Sequence, residues 1–353
     1  MRGAGKAGGG RGVSVPALAA VYIGTVVGAG FASGQEVLQF FGLHGVLGFL
    51  ALAVATAVLG IFGYLLLLAG HGLGATSYGP VVRHVAGPFV GRIIDAVLTF
   101  FLFGGTAAMF AGAGATLAQQ YGLHYTAGLV GMAVATAGTV LLGLGGVVAS
   151  ISFVVPFLLA AVLAVSLWSL AAGTVDLGFA QPSLAAVPNW LLSGVSYGSY
   201  NLILAASVLA PLARLTPKPR LLPGIFLGAL GLGVGALAVD LAILAHVPES
   251  TRAEVPMVLA AARISPLAAA VYSAVLLAEV YTTAVGSLYG FVNRVVGEES
   301  RLFRLLTLLV AAAAGVAAGV GFSTIVGTLY PAVGYAGFLL LGALALAYVR
   351  KRI

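Results

Sequence analysis

Apolar residues run along this chain in long blocks, each closed by a short polar or Gly/Pro-bearing interruption such as TPKPR at 216–220 or GEESR at 297–301. A helix needs about 20 such residues to cross the hydrocarbon core of a bilayer. The blocks predict ten spans, at 13–42, 46–70, 91–118, 126–144, 147–172, 189–211, 222–246, 266–293, 302–322 and 325–349. An all-α integral membrane protein follows, with residues 13–349 as a single transmembrane domain. Residues 1–12, MRGAGKAGGGRG, are expected to be a disordered basic tail, and 350–353 a short basic C-terminal tail. The apolar run after the first tail is too long and too interrupted for a cleaved signal peptide. In the sizeable loop 247–265, the stretch ESTRAEVPMVLAAARIS is expected to lie as a short helix across the outer surface, broken near Pro256.

Composition supports this reading and charge orients it. Of 353 residues, 61% are hydrophobic and 7% charged, a balance that excludes an ordinary soluble domain. The net charge of +7 does not point to nucleic acid, because the basic residues sit in short loops. With the N-terminus in the cytoplasm, fourteen of the sixteen Lys and Arg residues fall inside, and only Arg252 and Arg263 fall outside. That bias places both termini on the cytoplasmic side of the cytoplasmic (inner) membrane. Ten spans divide into two five-helix halves, about 13–172 and 189–349, of opposite topology, the pattern of inverted-repeat transporters. The chain has no cysteine.

Candidate chemistry lies where the spans are interrupted. In VVGAGFASGQEVLQFF at 26–41, Gly28, Gly30, Ser33, Gly34, Gln35 and Glu36 fall at the depth of the bilayer centre. Glycine tolerates unwound backbone, which at that depth must line a cavity or be covered by protein. Ser33 and Glu36 have the S-x-x-E spacing of a capping box, predicting a second half-helix from Gly34. Its free N–H groups offer a place for a carboxylate.

Span 6 carries SGVSYGSYNLILAAS, with Ser196, Tyr197, Gly198, Ser199, Tyr200 and Asn201 near its middle. The stretch reads either as a second break or as a polar stripe facing neighbouring helices. In span 8, LLAEVYTTAVGS at 276–287 sets Glu279 near the membrane centre, with Thr282 and Thr283 three and four residues on, on one face. These are hard oxygen ligands for an alkali cation, or a proton acceptor. The competing reading has the threonines bonding back to their own helix.

Asp95 is expected to pair with Arg92, and Asp240 to be either functional or in contact with an external vestibule. The histidines show no metal-ligand spacing, and no P-loop or H-E-x-x-H is present, so neither an enzyme nor a cofactor is expected.

The spans, breaks and face chemistry resemble the five-plus-five inverted-repeat transporters of the amino acid–polyamine–organocation superfamily, the LeuT-type fold. YIGTVVGAGFASGQEVLQFF at 22–41 more closely resembles the YkvI-like amino acid permeases. The resemblance implies broken helices 1 and 6. It implies a substrate site at Gly28, Ala29, Gly30 and Ser33 and around Tyr197, Gly198, Ser199 and Asn201, with Glu279 available to a substrate amine. It also implies a sodium site formed by the carbonyls of Gly24, Val27 and Glu279 with the hydroxyls of Thr282 and Thr283. Glu279 stands where the family usually has a small residue, which keeps proton coupling open. Helix 5 lacks the lysine that some proton-coupled relatives use in place of sodium. The function expected is a sodium-coupled symporter of a small zwitterion such as an amino acid. The alternatives are a proton-coupled permease using Glu279 and a ligand sensor on a transporter fold.

Overall fold

The first apolar block folds as three helical pieces rather than one rod. The computed structural model describes residues 12–142 and 154–353, the side chains of 154–156 excepted. Helix α1, Val15–Val26, starts where the Ser14 hydroxyl accepts the Ala17 N–H at 3.3 Å and a proline stands in the first turn, where its missing N–H is no loss. It ends at Val27 and Gly28, both in extended backbone. The Val27 N–H closes the ladder on Ile23 O at 2.8 Å, so the carbonyls from Gly24 to Val27 have no further turn to bond. One turn follows as α2, Ala29–Ser33, then a left-handed residue, Gly34 at φ +82°, then α3, Gln35–Phe40.

Left-handed backbone costs a residue with a Cβ about 1–2 kcal/mol. A Cβ at Gly34 would also stand 2.9 Å from Met257 Cγ. Gly34→Ala is therefore expected to destabilise the protein by about 1–2 kcal/mol from backbone strain, read as a lowered melting temperature in detergent. An unchanged melt would mean that the chain relaxes at this turn.

The remaining helices are α4 Val46–Gly72, α5 Tyr78–Tyr121, α6 Tyr125–Val140, α7 Val154–Ala172, α8 Trp190–Leu215 and α9 Lys218–Leu244. After them come α10 Glu249–Arg252, α11 Pro256–Ile264, α12 Pro266–Val296, α13 Phe303–Ala317 and α14 Phe322–Val349. Helix α5 kinks at Gly87, φ +79°, just before Pro88. Each of the ten predicted segments holds helix. Among the described residues, seven helices are long and apolar enough to cross a membrane, whereas α1, α6 and the described part of α7 are shorter apolar helices. The ends of segments four and five at 143–144 and 147–153, and residues 1–11 of the tail, lie outside the described residues.

Packing follows the five-plus-five plan. The first span packs on the seventh (α1 on α9), just as the sixth packs on the second (α8 on α4). The third packs on the eighth, a pairing that the same exchange of halves leaves unchanged. The third also packs on the tenth (α5 on α14), matched by the eighth on the fifth (α12 on α7).

The expected break in span 6 is absent: α8 is helical from Trp190 to Leu215. Its small residues serve close approach instead. A Cβ at Gly194 would stand 2.3 Å from Ala51 O, and one at Gly198 would stand 2.7 Å from Val58 Cγ1, both on α4. Toward α14, the Ser199 hydroxyl donates to Gly334 O at 2.9 Å, and Gly334 and Gly337 lie against Ser196 and Ser199. The polar-stripe reading is the correct one for this span.

The start of the first described span and the C-terminal residues lie at one face. The Val13 N–H donates to Leu215 O at 3.1 Å, Arg220 donates to Gly12 O at 2.9 Å, and His84 lies 3.2 Å from Arg352 O. At the opposite face α10 and α11 form the two helices expected in 247–265, with the break at 253–255. They are tied down by polar contacts. Gln119 exchanges two hydrogen bonds with the backbone of Val255, at 2.9 and 3.1 Å, and Glu254 accepts from the N–H and hydroxyl of Ser323 at 2.8 and 2.9 Å.

Asp95 pairs with Arg294 on α12 at 2.6 Å and with the Tyr78 hydroxyl at 2.6 Å, not with Arg92, which is exposed. Asp240 does not meet a vestibule. It is fully buried, and neither carboxyl oxygen has a hydrogen-bond partner, because α3 and the turn after it cover that face of α9 and bring Gly42 against it.

Candidate functional site

The break in the first span opens onto a cavity of about 450 Å³. Its walls are the end of α1 and the first residues of α2, from Gly24 to Gly30, Glu36 of α3, Gly105 and Met109 of α5, Tyr200 and Asn201 of α8, Glu279, Thr282 and Thr283 of α12, and Tyr330 of α14. The exposed rim at Ser207 lies toward the face that carries the termini. On the other side the cavity is closed. There the Tyr272 hydroxyl donates to Ala32 O, satisfying a carbonyl freed beside the second break, and the Tyr197 ring packs at steep angles against Phe40 and Phe41, with centroids 5.5 and 4.8 Å apart.

Nine predicted residues share this cavity: Gly24, Val27, Gly28, Ala29, Gly30, Asn201, Glu279, Thr282 and Thr283. The unwound end of α1 and the polar residues of α12 therefore line one space. Thr282 donates to the Glu279 carbonyl at 3.0 Å, the back-bond of the competing reading, while Thr283 donates to the Glu279 carboxylate at 3.3 Å. Glu279 is 5% exposed, and its second oxygen, Oε2, is buried without a partner. An unpaired carboxyl at membrane depth is costly and marks a place where a cation or proton belongs.

Four predicted substrate residues lie elsewhere. Ser33 bridges the second break, donating to Gly30 O at 2.7 Å and accepting from the Gln35 N–H at 3.2 Å. Tyr197 is buried behind the cavity wall among Phe40, Phe41 and Tyr200. Gly198 and Ser199 serve the seams with α4 and α14. Asn201 lines the cavity but gives its amide to Tyr197 O at 3.1 Å.

The capping box is also corrected. Gly34, not Ser33, precedes α3, and Glu36 does not reach back to a cap. Its carboxylate folds the other way. One oxygen accepts the Tyr200 hydroxyl, and the other sits 1.9 Å from the position a Cβ on Gly30 would take. Glu36, buried to 5% exposure, is thus a second carboxylate in the cavity, and Tyr200 and Tyr330 stand beside it with ring centroids 5.3 Å apart. The sequence signal for Glu36 was its depth in the membrane, the same signal that singled out Glu279. A wider cleft of about 870 Å³ between α6 and α13 is lined almost wholly by alkyl groups and offers no comparable chemistry.

No family model matches the chain. Its fold matches the inward-facing conformation of Mhp1 with a TM-score of 0.59 at 12% identity, covering 90% of this chain and 74% of that one. It also matches MhsT in complex with L-phenylalanine with a TM-score of 0.58 at 17% identity, covering 94% and 88%. These likenesses and the broken first span define the fold: an all-helical, multi-pass membrane protein of the LeuT type. The chain is 30% identical to the uncharacterized membrane protein YkvI of Bacillus subtilis (strain 168), over 94% of its own length and 95% of that protein. It is 26% identical to the uncharacterized protein YyaD of the same organism, over 92% and 94%. It belongs to the YkvI family.

Proposed function

We propose that this protein is a cation-coupled symporter that carries a small ammonium-bearing molecule, an amino acid in the first instance, by alternating access in the cytoplasmic membrane with both termini inside. The observation that carries the reading is the meeting, in one cavity, of Gly24 and Val27 at the unwound end of α1 with Glu279, Thr282 and Thr283. Sodium held there joins the first span to α12. It shifts the conformational equilibrium by its differential affinity for the two states. Substrate then lies at Gly28, Ala29 and Gly30, within reach of Asn201. MhsT, whose structure holds L-phenylalanine, shares the fold and supports this choice of substrate class.

The unpartnered oxygen of Glu279 supports a second reading, in which a proton is the coupling ion. Binding titrations on purified protein separate the two. Sodium tightens substrate binding and substrate tightens sodium binding by one common factor if sodium is the coupling ion. If neither sodium nor pH alters binding of any ligand in a panel of amino acids and amines, symport is excluded. Thr282→Ala combined with Thr283→Ala is expected to raise the sodium concentration for half-maximal stimulation by about tenfold or more, within the range of ordinary site-to-site coupling. An unchanged sodium titration removes both hydroxyls from the ion site.

A further inference from the structure

Glu36 brings its carboxylate against the helix break at Gly30, beside any anionic group of a ligand that came there. The N–H groups of Ala29, Gly30 and Phe31 lead α2 with no turn before them, the first ladder bond being Ala32 N–H to Gly28 O at 2.9 Å. The Glu36 carboxylate is folded onto this turn at Gly30 and anchored by Tyr200. A ligand carboxylate brought to the same turn meets a like charge at close range in a poorly screened site. Among the described residues, no Arg, Lys or His lines the cavity to hold that carboxylate elsewhere.

The charge count points the same way whichever coupling ion is used. Two carboxylates face the cavity, Glu36 and Glu279, and the latter keeps one buried oxygen free. One coupling cation and one monocationic ligand together neutralise the pair. A zwitterion in place of the monocation leaves a negative charge unbalanced at membrane depth, which is costly. The walls also present the aromatic rings of Tyr200, Tyr330 and Phe101, with Phe101 and Tyr330 at a centroid separation of 5.4 Å. Ring faces attract ammonium groups and add nothing for carboxylates.

We propose that the cavity selects a small organic monocation, an alkyl- or arylalkylammonium lacking a carboxylate, with its nitrogen held by Glu36 against the aromatic rings while Glu279 serves the coupling cation. The inference rests on the transport reading above and, within its ammonium-bearing molecules, puts amines in place of amino acids.

Matched pairs test it. Phenethylamine against L-phenylalanine and isoamylamine against L-leucine are compared for binding to the full chain in nanodiscs and for uptake into proteoliposomes, each in sodium and at several pH values. The amines are expected to bind at least tenfold more tightly than their amino acids. Glu36→Gln is expected to weaken amine binding at least tenfold while keeping the melting temperature and the response to sodium. Gly30→Ala displaces the Glu36 carboxylate without changing the charge and is expected to reproduce the loss.

Uptake of the amino acids without the amines overturns the inference and leaves the transport reading standing. Uptake of neither series overturns both. Unchanged amine binding in Glu36→Gln also overturns it.

Discussion

Glu279→Gln lowers coupled uptake by about 100-fold, near the upper end of known coupling between sites, while the melting temperature holds or rises. The two halves of this result come from one cause. Glutamine keeps the volume and an oxygen for the Thr283 hydroxyl, so packing around α12 is preserved. It removes a charge that is buried and half unpartnered, and with it the desolvation penalty that the folded state bears. A group that serves only the fold loses stability when altered. One retained for ligand chemistry loses function and relieves the fold. Uptake into proteoliposomes beside a thermal melt reads both signs in one preparation. Full uptake with unaltered pH dependence takes Glu279 out of the transport site.

Gly194→Val is expected to have the largest effect on the fold itself. The first added carbon would lie 2.3 Å from the Ala51 carbonyl oxygen, a backbone atom that cannot swing aside. The α4–α8 seam must therefore open along its length. Overpacking of a tight core costs about 1–3 kcal/mol, and here the seam also holds the span that carries Tyr200 and Asn201. Monodisperse protein after size exclusion should fall sharply, and the remainder should melt several degrees lower. Gly198→Ala adds a single carbon, 2.7 and 2.8 Å from Val58 Cγ1 and Cβ and 3.2 Å from the Ala55 carbonyl oxygen, and is expected to be milder than the larger change at the tighter Gly194. Equal stability of Gly194→Val and the parent protein would show that the seam is looser than the geometry implies.

The comparison of these two glycines shows what the sequence could and could not reveal. Apolar block length located helix in every predicted segment, because the bilayer imposes one length scale on every crossing. The break at Val27–Gly28 was legible because glycines stood beside acidic and hydroxyl groups at a depth that tolerates neither. The same logic failed in the sixth span. A serine and glycine stripe suits unwound backbone and tight helix contact equally well, and only the facing residues, Ala51, Val58 and Gly334, decide between them. Glu36 was placed at the right depth but given the wrong partner. Local spacing suggested a cap, whereas Gly34 in left-handed backbone turned its side chain toward Tyr200, 164 positions away in sequence. Asp95 repeats the lesson, finding Arg294 across the bundle before Arg92 one turn away.

The uninterrupted α8 has a mechanical corollary. Locked to α4 by Gly194 and Gly198 and to α14 by the Ser199 bond, it makes those three helices a single plate. A plate does not flex at its middle, so on the proposed alternating-access reading the bending falls to two swivels, Val27–Gly28 and Gly34, both in the first span.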